Sequence, residues 1–376
     1  MTTDLGLLLA NPACPAGLLA KAAHGGPRSR TAAAAHPRAV PWLGGLALDQ
    51  EPGVRTAVAG NRACEPGTLR ALAEDTDPLV RAAVAGRIPP GHARLAGDPV
   101  AAVRAAAAVN PVLCLALLDD VDRAVRDTAL QHPDYPPERL TASPDDDLWT
   151  RVVVASHPAT PSPVRAVLAD DPAAEVRMAV ARNPATAGPV LALLAGDPEA
   201  AATALRNPAF PAARRARCAA GADHDRRAAI ARNPACQPRL LALFAVDADA
   251  SVRTAAAGHP RTPAPALTAL ADDPDEAVVA AAARNPGAPA GLLRALARRG
   301  RRRAVAWNPA CPAALLADLA GHDDDRVREA VARHPRTAAA TRRTLAGDPC
   351  RAVRDALALT CPDPAVLTRL ARGAVW

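Results

Sequence analysis

Apolar residues along this chain fall in short clusters that recur in pairs. Around Asn183, Val176, Ala179 and Val180 follow at i, i+3 and i+4; Val190, Leu191, Leu194 and Ala195 then mark a second face. Spacings of three and four place each set on one side of a helix. The break between them is Asn183-Pro184, because a residue before proline is pushed out of the α region. Asp171-Pro172 reads as the start of the first helix, an Asp cap with proline at the first helical position. Thr186 reads as the cap of the second. The second-helix pattern returns as Leu240, Leu241, Phe244 and Ala245, then at Leu292, Leu293, Leu296 and Ala297, and at Leu315, Leu316, Leu319 and Ala320. No apolar run alternates with period two, so no sheet is predicted.

The punctuation repeats along the whole chain. Asn-Pro or His-Pro stands at Asn11, His36, Asn110, His132, His157, Asn183, Asn207, Asn233, His259, Asn285, Asn308 and His334, with degenerate copies at Asn61, Arg87 and Thr360. These define fifteen units spaced 22 to 26 residues apart. Helices of two or three turns cannot stand alone, so each unit must close its core against the next. The expectation is an all-α, curved solenoid. Residues 1–50 form irregular N-terminal capping repeats, and 51–376 form one continuous regular array. The first helix of each unit is short enough to be 3₁₀ in part.

The recurring Val-Arg-x-Ala-Val-Ala-x-Asn-Pro-x-Thr/Cys-Pro-x-x-Leu-Leu-x-x-Leu-Ala-x-Asp-Pro pattern, clearest from Val176 to Pro198 and from Val327 to Pro349, resembles the leucine-rich repeat variant family. That resemblance implies a right-handed solenoid alternating α and 3₁₀ helices, similar in style to HEAT and armadillo arrays. One kind of family member carries an N-terminal iron–sulfur module on clustered cysteines. Here Cys14 stands alone and the next cysteine is Cys64, so the cluster is not carried over.

Composition adds to this picture. Half the 376 residues are apolar but only 2% are aromatic, which suits closely packed short helices built on Ala, Val and Leu. The net charge of +7 permits an acidic partner without requiring one. Lys21 is the only lysine, so the positive charge is almost all arginine. No stretch is long and apolar enough for a membrane helix, and no signal peptide is visible at the N-terminus. A cytoplasmic location is expected.

Few residues carry chemistry. Cys14, Cys64, Cys236 and Cys311 occupy the position held by Thr160, Thr186, Thr262 and Thr337 in other units, which points to buried structural thiols. Cys114, Cys218, Cys350 and Cys361 fall elsewhere, with no Cys-x-x-Cys. The histidines before proline take the place of Asn, and their expected role is a side-chain hydrogen bond at the turn. His24, His92, His224 and His322 lie in loops without a paired ligand. No metal site, cofactor or catalytic set is expected.

Arginine forms a row six residues before the ladder residue, at Arg30, Arg55, Arg81, Arg104, Arg126, Arg151, Arg177, Arg227, Arg253, Arg302, Arg328 and Arg354. Acids of the same period favour an ion-pair ladder over a stripe that tracks a polyanion. Two places break the balance. Arg298, Arg299, Arg301, Arg302 and Arg303 crowd a shortened unit that has lost its Asp-Pro. Arg214, Arg215 and Arg217 replace a leucine pair, with Arg226 and Arg227 following. These are the candidate contact residues. Asp145-Asp146-Asp147 before Trp149 raises a HEAT-like DNA-repair site, an aromatic and a carboxylate receiving a base, although the acids also suit helix caps. Trp42, Trp307 and Trp376 suit irregular units or ends.

The leading function is a non-catalytic scaffold binding another protein or an acidic peptide along its surface. Nucleic-acid binding through the arginine row and 298–303 is the alternative, and a repair enzyme around Trp149 the second.

Overall fold

The computed structural model describes residues 5–87, 93–143, 145–221 and 223–371. His92 and Trp376 lie outside them. The described residues form fifteen two-helix repeats and no strand, a helical-repeat solenoid in class. They divide into two compact units, Pro133–Leu319 and a unit made of Met1–His132 with Ala320–Trp376.

In the repeat around Asn183 the helices are Ala174–Arg182 and Gly188–Leu194. Val176, Ala179, Val180 and Ala181 are buried on the first, Leu191 and Leu194 on the second. Short side chains at the first helix let successive repeats approach closely. The expected 3₁₀ character falls on the second helix instead, at Ala93–Gly97, Cys114–Leu117 and Pro137–Arg139. In the first two cases the chain between the ladder residue and the next Asp is short: Arg81 reaches Asp98 at a separation of 17 and Arg104 reaches Asp120 at 16, where the other pairs span 19 or 20. The missing residues amount to about one helical turn.

The Asn and His side chains stitch repeats together. Asn61 Nδ2 donates to Ala34 O at 2.6 Å and to His36 O at 2.8 Å, the end of the preceding repeat's first helix. Asn183, Asn207, Asn233, Asn285 and Asn308 each repeat both bonds on the repeat before them. The Oδ1 atom accepts the N–H two residues on, as at Ala185 and Ala235. At His36 and His259, Nε2 meets the preceding ladder carbonyl at 2.9 and 3.0 Å and Nδ1 accepts from the N–H two residues on. That pattern requires neutral imidazole protonated at Nε2. The degenerate copies serve the same carbonyls: Arg87 Nη1 donates to Ala59 O, and Thr360 Oγ1 to Ala332 O at 3.2 Å.

Within the unit made of Met1–His132 and Ala320–Trp376 the ladder crosses the chain ends. Asn11 Nδ2 donates to Ala358 O at 2.7 Å and Cys361 O at 2.9 Å, so the first repeat stacks on the last. The helix Arg351–Thr360 runs one residue longer than its equivalents, and Cys361 rather than Thr360 is its C-cap.

Two capping expectations need correction. Asp171 does not cap the helix after it; Ala173 is the N-cap, and Asp171 Oδ1 accepts the Ala173 N–H at 2.8 Å while its carboxylate receives Arg151. Where an Asp does cap, it stands two residues further on, as at Asp77, Asp249 and Asp275. Thr186 caps no second helix either. Its hydroxyl turns back to Val180 O at 2.7 Å and satisfies a carbonyl at the end of the first.

The arginine row is an ion-pair ladder in nine repeats. Nε meets Oδ2 at 2.6 to 2.8 Å in the pairs 30–49, 55–75, 81–98, 104–120, 151–171, 177–197, 227–247, 253–273 and 328–348. In most pairs Nη2 adds a second bond, and in eight of these repeats Nη1 donates to a carbonyl of the loop opening its own repeat, as Arg81 does to Asp75 O. Each guanidinium thus ties the two ends of its own repeat together. The arginine bond holds Asp49, Asp75, Asp98, Asp120, Asp247 and Asp273 below the usual carboxylate range, against the opposing cost of their desolvation.

A pH dependence follows. These carboxylates and the buried His259, whose pKa burial lowers despite its bond to Asn233 O, bind protons more readily unfolded than folded. Stability should be full above about pH 7, decline as pH falls through about 6.5 where an unfolded histidine protonates, and fall further below about pH 4. His259→Asn should flatten the decline between pH 7 and 5 and leave the acid limb intact. Urea midpoints measured against pH test both parts. An unchanged upper limb in the variant would remove His259 as its source.

Candidate partner-binding surface

The sequence candidates separate in the structure. Arg227 belongs to the ladder with Asp247 at 2.7 Å. Arg226 lies 3.8 Å from Asp223, the cap of its own helix. Arg215 is buried at 7% exposure and donates Nη1 to Asn233 Oδ1 at 3.1 Å, leaving it no surface to offer a partner. Arg214 and Arg217 are exposed on Ala212–Gly221 and carry no ion pair among the described residues.

The 298–303 cluster is built on a break in the repeat. Helix Ala290–Arg298 ends at Gly300, whose φ of 87° no other described residue shares as a positive value. Arg301 N donates to Leu296 O and Gly300 N to Ala297 O, so the left-handed residue closes the helix where Asp-Pro would otherwise open the next one. Glycine tolerates that φ because it has no Cβ. The turn sends two arginines back across the preceding repeat: Arg299 pairs with Asp272, and Arg301 with both carboxylate oxygens of Glu276. Arg298, Arg302 and Arg303 carry no ion pair among the described residues.

Beside this turn, Glu276, Arg284, Arg301, Arg303 and Trp307 border an open depression of about 630 Å³ between the helices Glu276–Arg284 and Arg302–Ala306. Trp307 is 46% exposed while its neighbours Val305 and Ala306 are buried. A large aromatic held half in water beside arginine has the composition of an interface anchor.

The structure also brings out a row that the sequence reading missed. Arg182, Arg206, Arg232 and Arg284 stand one residue before the ladder Asn, exposed at the ends of their first helices, without an ion pair among the described residues. The signal was present as Ala-Arg-Asn-Pro at 181–184, 231–234 and 283–286. It was hidden by the more regular row five residues earlier. Partial desolvation against the neighbouring repeat, then the charge of Arg206, push the guanidinium pKa of the exposed Arg232 down, against a smaller opposing pull from Asp225. On the second helices, Val167, Leu193 and Leu243 leave a parallel line of exposed apolar side chains.

The remaining candidates are structural. Asp147 caps its helix at Thr150 N, and Asp146 Oδ2 accepts from Ser143 N at 2.7 Å. Trp149 is half-buried and stacks on no other ring among the described residues. The cysteines are free. Burial raises the Cys14 thiol to about 11, against a smaller pull from Arg38, and raises Cys64, Cys236 and Cys361 as well, which keeps them protonated and unreactive. No three His, Cys, Asp or Glu side chains converge as a metal site among the described residues, and no described helix is long and apolar enough to cross a membrane.

A solved structure described as a leucine-rich repeat variant with a novel repetitive structural motif is 25% identical to this chain, covering 70% of it and 78% of its own length, with a TM-score of 0.26. An engineered protein of solved structure is 18% identical over 94% of this chain and 97% of its own, also with a TM-score of 0.26. No curated protein matches in sequence. The sequence model of the leucine rich repeat variant matches residues 174–199 and 250–275, two repeats that both carry the arginine–aspartate pair and the ladder residue described above. The chain therefore carries repeats of the leucine-rich repeat variant kind.

Proposed function

We propose that this chain is a non-catalytic scaffold that holds a protein partner against the first-helix face of the unit Pro133–Leu319. The observation that carries this reading is the depression beside Gly300, where exposed Trp307 stands between Arg284 and Arg303. Repeat stacking explains the buried residues and the arginine–aspartate ladder, but it has no use for an exposed tryptophan among arginines. Of the acids near Trp149, Asp147 caps its helix and Asp146 accepts from Ser143 N, and no second ring stacks on Trp149 among the described residues, which favours the scaffold over a repair site.

A photo-crosslinking residue placed at position 307 of the full chain should capture one partner protein, and the same residue at 243 on the second-helix face should not. Equal capture at both positions would remove the assignment. Fluorescence anisotropy against labelled DNA and RNA, from low to physiological salt, separates the alternative. Tight binding that weakens steeply with salt and is lost when Arg298, Arg299, Arg301 and Arg303 become alanine would promote a nucleic-acid partner instead.

A further inference from the structure

Among the described residues, the arginines next to the ladder that carry no ion pair all lie in one unit; in the other, Arg333 stands before His334 and pairs with Glu329. In Pro133–Leu319 the residue before the ladder position is Ser156, Arg182, Arg206, Arg232, Gly258, Arg284 and Trp307 in turn. In Met1–His132 it is Ala10, Ala35, Gly60, Gly86, Val109 and Gln131. Six uncharged residues at this position show that repeat stacking does not need arginine there. The ladder bonds form equally well behind Gly60 and behind Arg232.

Three of these arginines, 182, 206 and 232, follow in consecutive repeats. All three are exposed, and no carboxylate pairs with them among the described residues. Between them Ala202 is half-buried and Ala228 buried, short side chains that leave a backbone room to lie close. Packed helices are about 9–10 Å apart, and a peptide in the polyproline II conformation rises about 3.1 Å per residue with three residues per turn. Every third residue of such a peptide therefore meets the next arginine. A single-stranded nucleic acid would want aromatic platforms between the charges; the flanking residues are alanine, asparagine and proline, and Trp307 stands three repeats from Arg232.

We propose that Arg182, Arg206 and Arg232 form a docking strip for an extended acidic segment of a partner protein, reading carboxylates that recur every third residue. This rests on the scaffold reading and names the chemistry of its partner. The ladder beneath holds the strip in register, because the Asn after each arginine is bonded to the preceding repeat.

The test uses the full chain and a fluorescein-labelled 15-residue peptide repeating Glu-Ser-Ala, compared with an isomer of the same composition whose glutamates are contiguous. The repeating peptide should bind about tenfold tighter than its isomer, summing three exposed ion pairs, and weaken with salt. Arg182→Gln, Arg206→Gln and Arg232→Gln combined should abolish that preference at an unchanged melting temperature. The alanine variant at 298, 299, 301 and 303 should keep it. Equal binding of both peptides, or no effect of the glutamine variant, would overturn the strip. So would tighter binding of oligo-thymidine, lost in the same variant, which would assign the row to nucleic acid. If neither peptide binds but residue 307 still captures a protein, the strip fails and the scaffold reading survives.

Discussion

Asn285→Ala is expected to destabilise the chain by about 3–4 kcal/mol, and Asn285→His by only about 1–1.5. Asn285 is 1% exposed and makes three bonds: Nδ2 to Ala257 O at 2.6 Å and His259 O at 2.8 Å, and Oδ1 from Gly287 N at 2.7 Å. Alanine takes a bond from all three backbone groups and strips Ala257 O and Gly287 N of their partner, while His259 O keeps Thr262 N at 3.0 Å. Each orphaned buried group costs on the order of 1 kcal/mol or more. Histidine keeps the N–H acceptor and one carbonyl contact, as His259 does one repeat earlier, and gives up one bond. The effect should spread, because a repeat array draws its stability from neighbouring interfaces. Urea unfolding followed by circular dichroism measures it. Equal losses for alanine and histidine would show that the side-chain volume, not the ladder, holds the repeats.

The second large effect runs the other way. Arg165→Leu should stabilise the chain by about 1–3 kcal/mol. Arg165 is 6% exposed in the second-helix slot that Leu191, Leu241, Leu267, Leu293 and Leu316 fill elsewhere. Its Nη1 donates to Thr160 O and its Nη2 to Ser162 Oγ at 3.1 Å, while Nε has no partner. Burial alone lowers its pKa; no carboxylate opposes it. A charge without a counter-ion in a leucine slot gives up hydration for two neutral bonds. Arg215→Leu tests the same idea at Arg215, whose pKa burial also lowers. A thermal midpoint that falls in both variants would show that these guanidinium groups satisfy something the leucine cannot.

Much of the fold was legible because its rules are local. Pro184 ends a helix whatever surrounds it, and the i, i+3, i+4 set at Val176, Ala179 and Val180 selects a face by helical geometry alone. The side-chain bond of Asn and His at the turn, and the exchange of Thr for Cys after it, could be read from substitution at one repeated position. The candidate surface was harder. Of the ten arginines singled out for their density, Arg215 is in the core, Arg227 is in the ladder, and Arg299 and Arg301 are paired. Charge density along a chain does not reveal which carboxylates fold back to meet it.

The amino-acid sequence by itself determined the period, the two helices of each repeat, their apolar faces and the residue that closes each turn, since all of these act within one repeat. The tertiary structure decided which charges are spent. Positions six and one before the ladder residue differ by five residues, about 140° around a helix. One row therefore faces the aspartate about 20 residues on and is neutralised, while the other faces outward and is left free. The same contacts across repeats turned Asp171 from a cap into an arginine's partner and Thr186 toward Val180 O, and set Asn11 on Ala358 and Cys361. Distances between repeats made those choices, and no spacing within one repeat records them.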